Sequence, residues 1–290
     1  MSDNRKNGVA GVVVLYHPSN EVLDNIKTYI YCLDSLLVID NSSLTTPNII
    51  KDELQKNKKI TYIDNPTNVG ISKAINVALS MAENKYEWLL TMDQDSYFME
   101  DEADKYIKNS IQFARDKSDI WGFTPGLTLS KGIKRDYRAP AFSMKILCIT
   151  SGNLLRVKTV LAAGGADERL FIDEVDSDLC LNLYEKGKKL YQYTSQIMVH
   201  QLGNRTDVSL GGEHIAYIYN HNHIRLYYMF RNSLYVAKKH SIYKRSRYKD
   251  VAKEFFKVVL FEKNKIIKVK YIIKGIFDYL RNRMGSIDGI

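Results

Sequence analysis

Short apolar runs alternate with amphipathic stretches through the first third of the chain. The runs are rich in β-branched residues, which is typical of strands that are covered on both faces of a sheet. Between them, apolar residues recur three or four positions apart, which predicts helices. The predicted strands are Val9–Tyr16, Ser35–Asp40, Ile60–Asp64 and Leu89–Met92, and the predicted helices are Glu21–Leu33, Pro47–Lys56 and Ile71–Ala82. This alternation predicts an α/β fold with a parallel sheet and right-handed crossovers.

Beyond residue 100 the pattern is less regular. It predicts helices over Glu102–Lys117 and Arg156–Ala162, a further helix that ends at Gly187, and strands over Trp121–Leu129, Ala141–Ile149 and Leu190–Val199. From Lys238 onward, apolar residues at helical spacing are interleaved with lysine and arginine, which predicts basic amphipathic helices. We therefore predict an α/β domain over residues 1–235 and a helical C-terminal extension over residues 236–290.

Polar residues follow each of the four predicted parallel strands. His17 follows the first strand, Asp40 ends the second, Asn68 follows the third, and Asp93 and Asp95 follow the fourth. Because the carboxyl ends of parallel strands meet at one edge of an open sheet, these residues predict a binding crevice. Asp93 and Asp95 offer hard oxygen ligands of the kind that Mg²⁺ or Mn²⁺ prefers. Taken alone, the same pair also occurs in ordinary surface loops.

A second acidic cluster comprises Asp173, Glu174, Asp176 and Asp178. Asp176 and Asp178 precede a predicted helix, where carboxylates cap the first turn and complement the helix dipole. Several carboxylates in an apolar setting can also raise a carboxyl pKa and produce a catalytic base. The residues by themselves leave both interpretations open.

Three basic side chains also allow two interpretations each. His200 follows the strand predicted over Leu190–Val199, where it is either a structural residue or a contact to a metal or phosphate. Arg225 and Arg231 lie in a tyrosine-rich segment. They either clamp a phosphate with paired hydrogen bonds or belong to a helix that packs on the sheet.

Two common nucleotide-binding motifs are absent from the sequence. No Gly-x-Gly-x-x-Gly follows the first predicted strand, and no Gly-x-x-x-x-Gly-Lys-Ser/Thr is present. This argues against a dehydrogenase-type or P-loop nucleotide site. If a nucleotide diphosphate binds to this chain, its charge must be neutralised by other means, and a divalent cation on Asp93 and Asp95 would do so.

Composition places the chain of 290 residues, with 45% hydrophobic and 26% charged residues, among globular proteins. No run of apolar residues is long enough to predict a membrane-spanning helix, and Met1–Asn7 is too polar for a signal peptide. Cys32, Cys148 and Cys180 lie far apart in apolar surroundings, which predicts small buried side chains rather than a disulfide framework or a zinc site. These features predict residence in the cytosol.

The net charge of +9 is concentrated in the segment from Lys238 to Arg283. This segment is either attracted to an anionic membrane or nucleic acid, or it is the solvated face of a packed cap or a dimer contact. No recognisable nucleic-acid recognition module accompanies the charge, so we expect no nucleic-acid partner. A homo-oligomer is compatible with the interpretation of this segment as a dimer contact.

A series of segments resembles the inverting family 2 glycosyltransferases with a GT-A fold, and most closely their bacterial rhamnosyltransferase-like branch. The segments are VVVLYHP (12–18), VIDNSS (38–43), NPTNVGISKAIN (65–76), LLTMDQDS (89–96), SGNLL (151–155), DERLFIDEVDSDLC (167–180), HQLG (200–203) and RLYYMFRN (225–232). They follow the order in which they occur in the family. The resemblance implies a GT-A fold, with a mostly parallel, Rossmann-like central sheet flanked by helices.

The resemblance also implies roles for individual residues. Asp93 and Asp95 correspond to the Asp-x-Asp pair that engages Mg²⁺ or Mn²⁺ and the donor diphosphate, and Asp95 is the more direct ligand. His200 would contact the metal or the diphosphate, and Asp40 would hold the base or ribose. The residues expected on the nucleotide side of the cleft are Tyr16, His17, Asp40, Asn68, Gly70, Lys73 and Gln94.

Asp176 corresponds to the second residue of the family's Glu-Asp pair and would be the catalytic base. The first residue of that pair is Val175 here, a departure from the wider family that resembles the rhamnosyltransferase-like branch. Asp173 and Glu174 are therefore rival bases. In an inverting mechanism, one carboxylate takes the proton of the acceptor hydroxyl while a metal stabilises the departing nucleoside diphosphate.

We therefore expect a glycosyltransferase that moves a sugar, L-rhamnose in the first instance, from a dTDP- or UDP-sugar to a lipid-linked or polysaccharide acceptor. It would act at the cytoplasmic face of the cell membrane and contact it peripherally through the basic C-terminus. A sugar nucleotidyltransferase is the alternative, but it predicts a glycine-rich basic loop where this chain has His17-Pro18-Ser19-Asn20. A nucleic-acid-binding protein is a third interpretation, and it lacks a recognition module.

Overall fold

The computed structural model describes residues 8–128, 142–200, 206–210 and 213–287. The strands in this part of the chain are β1 Val9–Leu15, β2 Ser35–Asp40, β3 Ile60–Asp64, β4 Trp88–Asp93, β5 Ser96–Phe98, β6 Ile120–Thr128, β7 Phe142–Lys145, β8 Asn153–Arg156, β9 Lys189–His200, β10 Thr206–Leu210 and β11 Glu213–Ile218. The helices are α1 Glu21–Ile30, α2 Asn48–Gln55, α3 Ile71–Ala82, α4 Glu102–Ala114, α5 Val157–Ala162, α6 Val175–Glu185, α7 His223–Lys239, α8 Lys244–Phe261 and α9 Lys265–Leu280. The predicted alternation of the first third is present.

Nine strands form one sheet, in the order β3-β2-β1-β4-β8-β6-β9-β5, with β7 paired to β9. β1 to β4 pair in parallel, as do β6 and β9. β8 is antiparallel to both of its neighbours, and β5 and β7 are antiparallel to β9. The predicted α/β architecture is confirmed, but the second half of its sheet is mixed rather than parallel. Strands as short as β5, β7 and β8 are too brief to show a periodicity in the sequence.

The parallel half of the sheet is covered on both faces. Val13 and Leu15 of β1 and Leu90 of β4 are completely buried, as the β-branched runs predicted. The residues buried on the helices that cover the sheet are Val22, Ile26, Tyr29 and Ile30 of α1 and Ala74, Ile75, Ala78 and Leu79 of α3. Each large apolar side chain contributes about 1.5–3 kcal/mol by leaving water. This core fixes where the strands end, and the polar residues follow at those ends.

Packing divides the chain into two units. Unit 1 comprises Met1–Asp167 and Leu179–Gln201 and contains the nine-stranded sheet. Unit 2 comprises Glu168–Asp178 and Leu202–Ile290 and contains the acidic segment, β10, β11 and helices α7 to α9. The predicted division into residues 1–235 and 236–290 stays a prediction about which segments fold independently.

In unit 2, α7 and α9 approach closely at Gly275. A Cβ atom at this position would lie 2.5 Å from the backbone oxygen of Tyr227, so a larger residue would push the helices apart. The apolar side chains buried among the three helices are Leu226, Phe230, Val258 and Ile272. The predicted C-terminal helices are therefore present, and each of them has a face that packs within unit 2.

Cys32, Cys148 and Cys180 are free thiols. Cys180 is buried, whereas Cys32 and Cys148 are partly accessible. The Sγ atoms of Cys148 and Cys180 lie 3.4 Å apart. The fold therefore brings together two thiols that the sequence separates by 32 positions.

Candidate active site

Four strand ends bring predicted site residues to one edge of the sheet in unit 1. β1 to β4 are parallel and in register, so their carboxyl ends lie side by side. Tyr16 and His17 follow β1, while Asp40, Asp64 and Asp93 end β2, β3 and β4. Open α/β sheets bind their ligands at this edge, so the sheet brings these residues together where the sequence predicted a crevice.

Asp93, Asp95 and His200 form a cluster at this edge. β5 pairs with β9 so that Ser96 lies opposite His200. This pairing places His200 Nδ1 3.5 Å from Asp95 Oδ1 and 2.7 Å from Ser96 Oγ. One potential ligand atom from each of the three cluster residues lies within 4.8 Å of the others. The sequence-predicted metal ligands are therefore brought within reach of one ion.

The donor set of this cluster fits a divalent cation. Carboxylate oxygens are ligands that Mg²⁺ and Mn²⁺ prefer, and imidazole is a common further ligand of transition metals. Two carboxylates at this distance repel each other, and a cation would remove that repulsion. The side chain of Asp95 is 47% exposed, so a ligand can reach it from solvent. Asp93, Asp95 and His200 are the residues that would hold the ion.

Gln94 binds the end of β1 through its side chain. Its Oε1 accepts a hydrogen bond from Tyr16 N at 2.8 Å, and its Nε2 donates to Tyr16 O at 3.1 Å. Its backbone oxygen accepts from Asn25 Nδ2 at 2.9 Å. The side chain of Tyr16 is exposed. Gln94 thus holds Tyr16 in place, and its predicted contact with the nucleotide stays a prediction.

Asp40 is buried and anchors the loop that follows β2. Its Oδ1 accepts a hydrogen bond from Ser42 N at 2.8 Å, and its Oδ2 accepts from the Tyr62 hydroxyl. Burial alone would raise the pKa of Asp40, but hydrogen bonds from Ser42, Thr46 and Tyr62 outweigh burial and lower it. Ser42 Oγ in turn accepts from His17 N at 2.8 Å. The predicted contact of Asp40 with the base or ribose stays a prediction.

Asn68 and Gly70 shape the turn between β3 and α3. Asn68 Oδ1 accepts a hydrogen bond from Gly70 N at 2.9 Å, and Gly70 has a φ of +83°, which glycine adopts without strain. Asn41 ties this turn to β2, because its Nδ2 donates to Gly70 O at 3.5 Å and its Oδ1 accepts from Asn65 Nδ2 at 2.9 Å. Lys73 is exposed on the first turn of α3.

The second acidic cluster lies on a strained loop in unit 2. Phe171, Asp173 and Glu174 have φ values of +59°, +58° and +65°. Residues other than glycine avoid this region because Cβ crowds the backbone, at a cost of about 1–2 kcal/mol each. Such a conformation persists only where surrounding contacts enforce it.

Asn232 of α7 supplies contacts that enforce this loop. Its side chain is completely buried. Its Nδ2 lies 2.6 Å from Leu170 O, 2.6 Å from Ile172 O and 3.2 Å from Asp173 O. Its Oδ1 accepts a hydrogen bond from Arg231 Nε at 2.9 Å, which fixes the amide. One amide group therefore contacts three backbone carbonyl oxygens of this loop.

The two rival bases are engaged by cations. Arg225 Nη2 lies 3.3 Å from Asp173 Oδ1, and burial raises the pKa of Asp173 to about 6 in spite of this positive charge. Arg247 Nη2 lies 2.8 Å from Glu174 Oε2, and the Ser233 hydroxyl donates to Glu174 Oε1 at 2.8 Å. Glu174 is therefore held by an ion pair at one oxygen and by a hydrogen bond at the other.

Asp178, in the first turn of α6, also has ion-pair partners. It is almost completely buried. His240 Nε2 lies 2.9 Å and Lys239 Nζ 2.8 Å from Asp178 Oδ1. The helix-capping and structural interpretation of the acidic cluster therefore describes Asp178 well.

Asp176 is the member of the cluster for which the described residues supply no ion-pair partner. Its Oδ1 accepts a hydrogen bond from Ser177 N at 2.7 Å. Burial raises the pKa of Asp176 to about 6; the charges of Glu174 and Asp173 raise it further, and that of Arg247 lowers it. A carboxyl group with this pKa is mostly ionised at neutral pH and is a stronger base than an ordinary aspartate.

Arg231 belongs to the interior of unit 2. Its side chain is completely buried, its Nη1 donates to the Tyr227 hydroxyl at 3.1 Å, and its guanidinium lies about 5 Å from the ring centres of Tyr227 and Tyr228. The packed tyrosine-rich helix is therefore the interpretation that the structure favours for Arg231, whereas Arg225 engages Asp173.

Several residues that shape the two clusters were not predicted from sequence. Ser151 Oγ accepts a hydrogen bond from Asp93 N at 3.0 Å and supports the end of β4. Asn41, Asn232 and Arg247 hold loops that are distant in sequence. Ser151, Asn41 and Asn232 lie inside the segments that carry the family resemblance, and that was the signal available. Arg247 lies in a stretch of basic residues that offers no such signal.

The choice of sugar, linkage and acceptor is expected to depend on the loops around Lys131–Arg138 and Gly203–His214. Both loops fall mainly outside the described residues, and only the backbone of β10 and of the start of β11 is described for the second one. Gln201 to Gly203, which follow His200 in the segment HQLG, also lie outside the described residues.

Comparison with known proteins shows which family the sequence matches. Residues 20–115 match the family described as Glycosyl transferase family 2. The chain contains a family 2 glycosyltransferase domain. Over 300 aligned residues it is 27% identical to the dTDP-rhamnosyl transferase RfbF of Shigella flexneri, with 96% of this chain and 97% of that protein covered. The predicted enzyme class, a glycosyltransferase, is confirmed.

Solved structures with the same fold confirm the predicted GT-A architecture. The chain superposes on residues 1–349 of TarS from S. aureus with a TM-score of 0.57 and 12% identity, covering 95% of this chain and 83% of that one. It superposes on GalNAc-T7, solved with UDP, GalNAc and Mn²⁺, with a TM-score of 0.57 and 12% identity. That match covers 81% of this chain and 48% of the GalNAc-T7 chain.

Proposed function

We propose that this glycosyltransferase is an inverting, metal-dependent enzyme that transfers L-rhamnose from a dTDP-activated donor. The acceptor would be a hydroxyl group of a lipid-linked or polysaccharide glycan in cell-surface polysaccharide synthesis. The observation that carries the donor assignment is the similarity to a dTDP-rhamnosyl transferase over nearly the full length of both chains. The Asp93, Asp95 and His200 cluster supports the metal dependence.

The donor side of the reaction belongs to the cluster at the end of β4. A nucleoside diphosphate leaves with its negative charge increased, and this charge needs a counter-charge in a chain that lacks a P-loop. Asp93, Asp95 and His200 would hold Mg²⁺ or Mn²⁺, which supplies Lewis-acid stabilisation of the departing diphosphate when it is bound. The exposed Lys73 of α3 would add a further positive charge on the nucleotide side.

The acceptor side requires a base, and we assign this role to Asp176. Asp176 would take the proton of the acceptor hydroxyl while that oxygen bonds to C1 of the sugar and the bond from C1 to the diphosphate breaks. Attack opposite the leaving group inverts the configuration at C1. Asp176 is preferred to Asp173 and Glu174 because those two carboxylates are paired with Arg225 and Arg247.

Thermal stabilisation by donor and metal tests this proposal. dTDP-L-rhamnose at a hundred times its Kd, with Mn²⁺ present, should stabilise the protein by about 2.7 kcal/mol, which corresponds to a rise in Tm of roughly 5 °C. Asp95→Asn should abolish the part of this rise that depends on Mn²⁺. Asp116→Asn, which changes an exposed aspartate on the segment after α4, is the matched control and should behave as wild type.

The same assay decides the identity of the donor. UDP-sugars and GDP-sugars should stabilise the protein less than dTDP-L-rhamnose does, and release of dTDP should follow incubation with the rhamnosyl donor. If no nucleoside diphosphate or nucleotide sugar stabilises the protein with either Mn²⁺ or Mg²⁺, the proposed function is wrong. If a UDP-sugar gives the largest effect, the glycosyltransferase class stands and the rhamnosyl assignment is wrong.

We further propose that the enzyme works at the cytoplasmic face of the cell membrane and that α9 lies on the lipid surface. Ile266, Ile273, Phe277 and Leu280 are spaced by seven, four and three positions, so they share one side of the helix. All four are exposed, Ile266 to 91%. The buried residues of α9 lie elsewhere on the helix and are Lys268, Ile272, Gly275 and Asp278.

Positive charge accompanies this apolar stripe of α9. Lys263, Lys265 and Lys270 are exposed close to it, and each such lysine contributes about 1 kcal/mol of attraction to an anionic membrane. Apolar side chains beside cations are typical of helices that lie in the membrane interface. No helix in the described part of the chain is long and apolar enough to cross a membrane.

Sedimentation with lipid vesicles tests this location. The wild-type protein should sediment with vesicles that contain phosphatidylglycerol and should stay in solution with vesicles of phosphatidylcholine alone. The double variant Ile266→Asp/Phe277→Asp should lose the binding. Ile49→Asp, at an exposed isoleucine of α2, is the control and should bind as wild type. A wild-type protein that does not sediment with anionic vesicles would exclude the proposed membrane contact.

A further inference from the structure

Arg247 of α8 differs from the basic residues around it. Lys244, Arg245 and Lys249 are exposed, whereas the side chain of Arg247 is only 19% exposed. Solvated arginines on a helix normally extend into water, and a guanidinium that gives up water needs partners for its five N–H groups. The position of Arg247 therefore has to be explained by what it binds.

The two partners of Arg247 lie on either side of Asp176 in the sequence. Its Nη2 lies 2.8 Å from Glu174 Oε2 and donates a hydrogen bond to Ser177 Oγ at 2.7 Å. Glu174 is the last of the residues with positive φ, and Ser177 is in the first turn of α6. One guanidinium therefore connects the strained loop to the helix that follows it, across the position of Asp176.

The same segment has independent support from α7. Asn232 binds the loop upstream through the carbonyl groups of Leu170 and Ile172, and Ser233 binds the second oxygen of Glu174. These contacts fix the loop before Glu174. The step from Glu174 to Ser177, which carries Asp176, is spanned by the side chain of Arg247 in addition to the backbone hydrogen bond from Asp178 N to Glu174 O at 2.9 Å.

We propose that Arg247 is a positioning residue for sugar transfer, which fixes the carboxylate of Asp176 by bridging Glu174 and Ser177. The inference rests on the proposed function of Asp176 as the base. It gives the C-terminal helix α8 a part in the reaction through a side chain that touches neither donor nor acceptor in this role. Both contacts of the bridge are made by one nitrogen atom, Nη2, which lies 2.8 Å from Glu174 Oε2 and 2.7 Å from Ser177 Oγ.

The charge of Arg247 affects the pKa of Asp176, and a purely structural role would not have this effect. The charged groups that act on Asp176 are Asp173 and Glu174 on its own loop and Arg247 from α8. Lys239, the last residue of α7, and His240, which follows it, contact Asp178. Removal of Arg247 should therefore raise the pKa of Asp176, and removal of the Glu174 charge should lower it.

The experiment compares Arg247→Gln, Arg247→Lys and Glu174→Gln with the control Arg245→Gln, which changes an exposed arginine on the same helix. The activity readout is release of dTDP from dTDP-L-rhamnose with Mn²⁺, with water in place of the acceptor. Arg247→Gln should lower kcat by about tenfold and leave the Kd of the donor within twofold. Arg247→Lys should restore part of kcat, and Arg245→Gln should match wild type.

The pH profile separates positioning from general damage. The acid limb of kcat/KM should move to higher pH in Arg247→Gln and to lower pH in Glu174→Gln, and it should stay in place in Arg247→Lys. A second readout needs no turnover: the difference in Tm between each variant and the same variant carrying Asp176→Asn, measured against pH, reports the pKa of Asp176. This midpoint should move in the same two directions.

The outcomes distinguish this inference from the proposed function. If Asp176→Asn abolishes dTDP release while Arg247→Gln keeps kcat within twofold and leaves the acid limb in place, the positioning role is wrong and the base assignment stands. A loss in Arg247→Gln that is equal at every pH, with no shift of the Tm midpoint, also overturns it. If Asp176→Asn keeps normal turnover, the base assignment itself is wrong. Should Arg247→Gln not fold, Arg247→Lys and Ser177→Ala test the same bridge.

Discussion

The carboxylates at the end of β4 and those of the segment Phe171–Asp178, which comprises a loop and the first turn of α6, are held by different kinds of structure. Asp93 ends a buried strand whose neighbours on both sides fix it through backbone hydrogen bonds. The loop has three residues with positive φ, and side chains from α7 and α8 hold it through Asn232 and Arg247. The first arrangement depends on the sheet as a whole, and the second on a few individual side chains.

This difference has a consequence for chemistry. A strand end tolerates the loss of one supporting side chain, because its backbone ladder remains, and it can present carboxylates to a bound ion. A loop in the left-handed region stores strain that any lost contact can release. The same loop can place a carboxylate in a setting that raises its pKa, as for Asp176. The metal cluster is therefore expected to be robust, and the base to be sensitive to substitutions far from it in sequence.

The largest effect is expected for Asp176→Asn. Loss of a general base typically lowers the rate by about 10²–10⁴-fold, and the Kd for dTDP-L-rhamnose with Mn²⁺ should stay within twofold because no donor-side residue changes. Single-turnover transfer and calorimetric titration measure the two quantities. Asp95→Asn is the comparison for the sheet end, and it should lose metal-dependent donor binding as well as transfer. Equal losses of binding in both variants would remove the distinction between the two clusters.

The pH dependence of transfer should show the raised pKa of Asp176. A base has to be ionised, so kcat/KM should be constant above about pH 7 and should fall by about tenfold per pH unit below the pKa of about 6. A profile recorded between pH 4.5 and 8 at saturating Mn²⁺, with metal binding checked separately at each pH, measures this limb. A profile that stays constant down to pH 4.5 would mean that the base has an ordinary pKa and is not Asp176.

Asn232→Ala and Ser151→Ala compare the two arrangements directly. Asn232→Ala leaves buried carbonyl groups and Arg231 Nε without their partner, and it should lower the free energy of unfolding by about 2–4 kcal/mol. Ser151→Ala removes one hydrogen bond to Asp93 N and should cost about 1 kcal/mol. Urea denaturation measures both values. A Ser151→Ala variant that loses as much stability as Asn232→Ala would show that the strand end also depends on single side chains.

A gain in stability is also expected from Asp176→Asn. The pKa of Asp176 is raised on folding, so its ionised form opposes folding above about pH 6, and this cost disappears below the unfolded pKa near 4. Asn carries no charge, and because the shift is about two pKa units the variant should be more stable than wild type by about 3 kcal/mol at pH 7.5 and nearly equally stable at pH 4. Thermal unfolding at the two pH values checks this. A variant that is less stable at pH 7.5 would contradict the sign.

Most of the donor side could be predicted from the sequence. The β-branched runs gave β1 to β4, and parallel strands necessarily bring His17, Asp40 and Asp93 to one edge. The place of His200 followed only from the family resemblance. In the structure it depends on β5, a strand of three residues that pairs Ser96 with a residue 104 positions later. No local periodicity encodes such a pairing.

The sequence by itself determined the alternation of strands and helices, the strand ends that carry polar groups and the two acidic clusters, because these follow from local periodicity and residue chemistry. The tertiary structure alone decided which carboxylates are paired and which one is not. Asp173, Glu174 and Asp178 are engaged by Arg225, Arg247 and His240, and each of these contacts joins residues more than fifty positions apart. Such contacts form only when the helices pack, and they leave Asp176 as the carboxylate with a raised pKa and no ion-pair partner among the described residues.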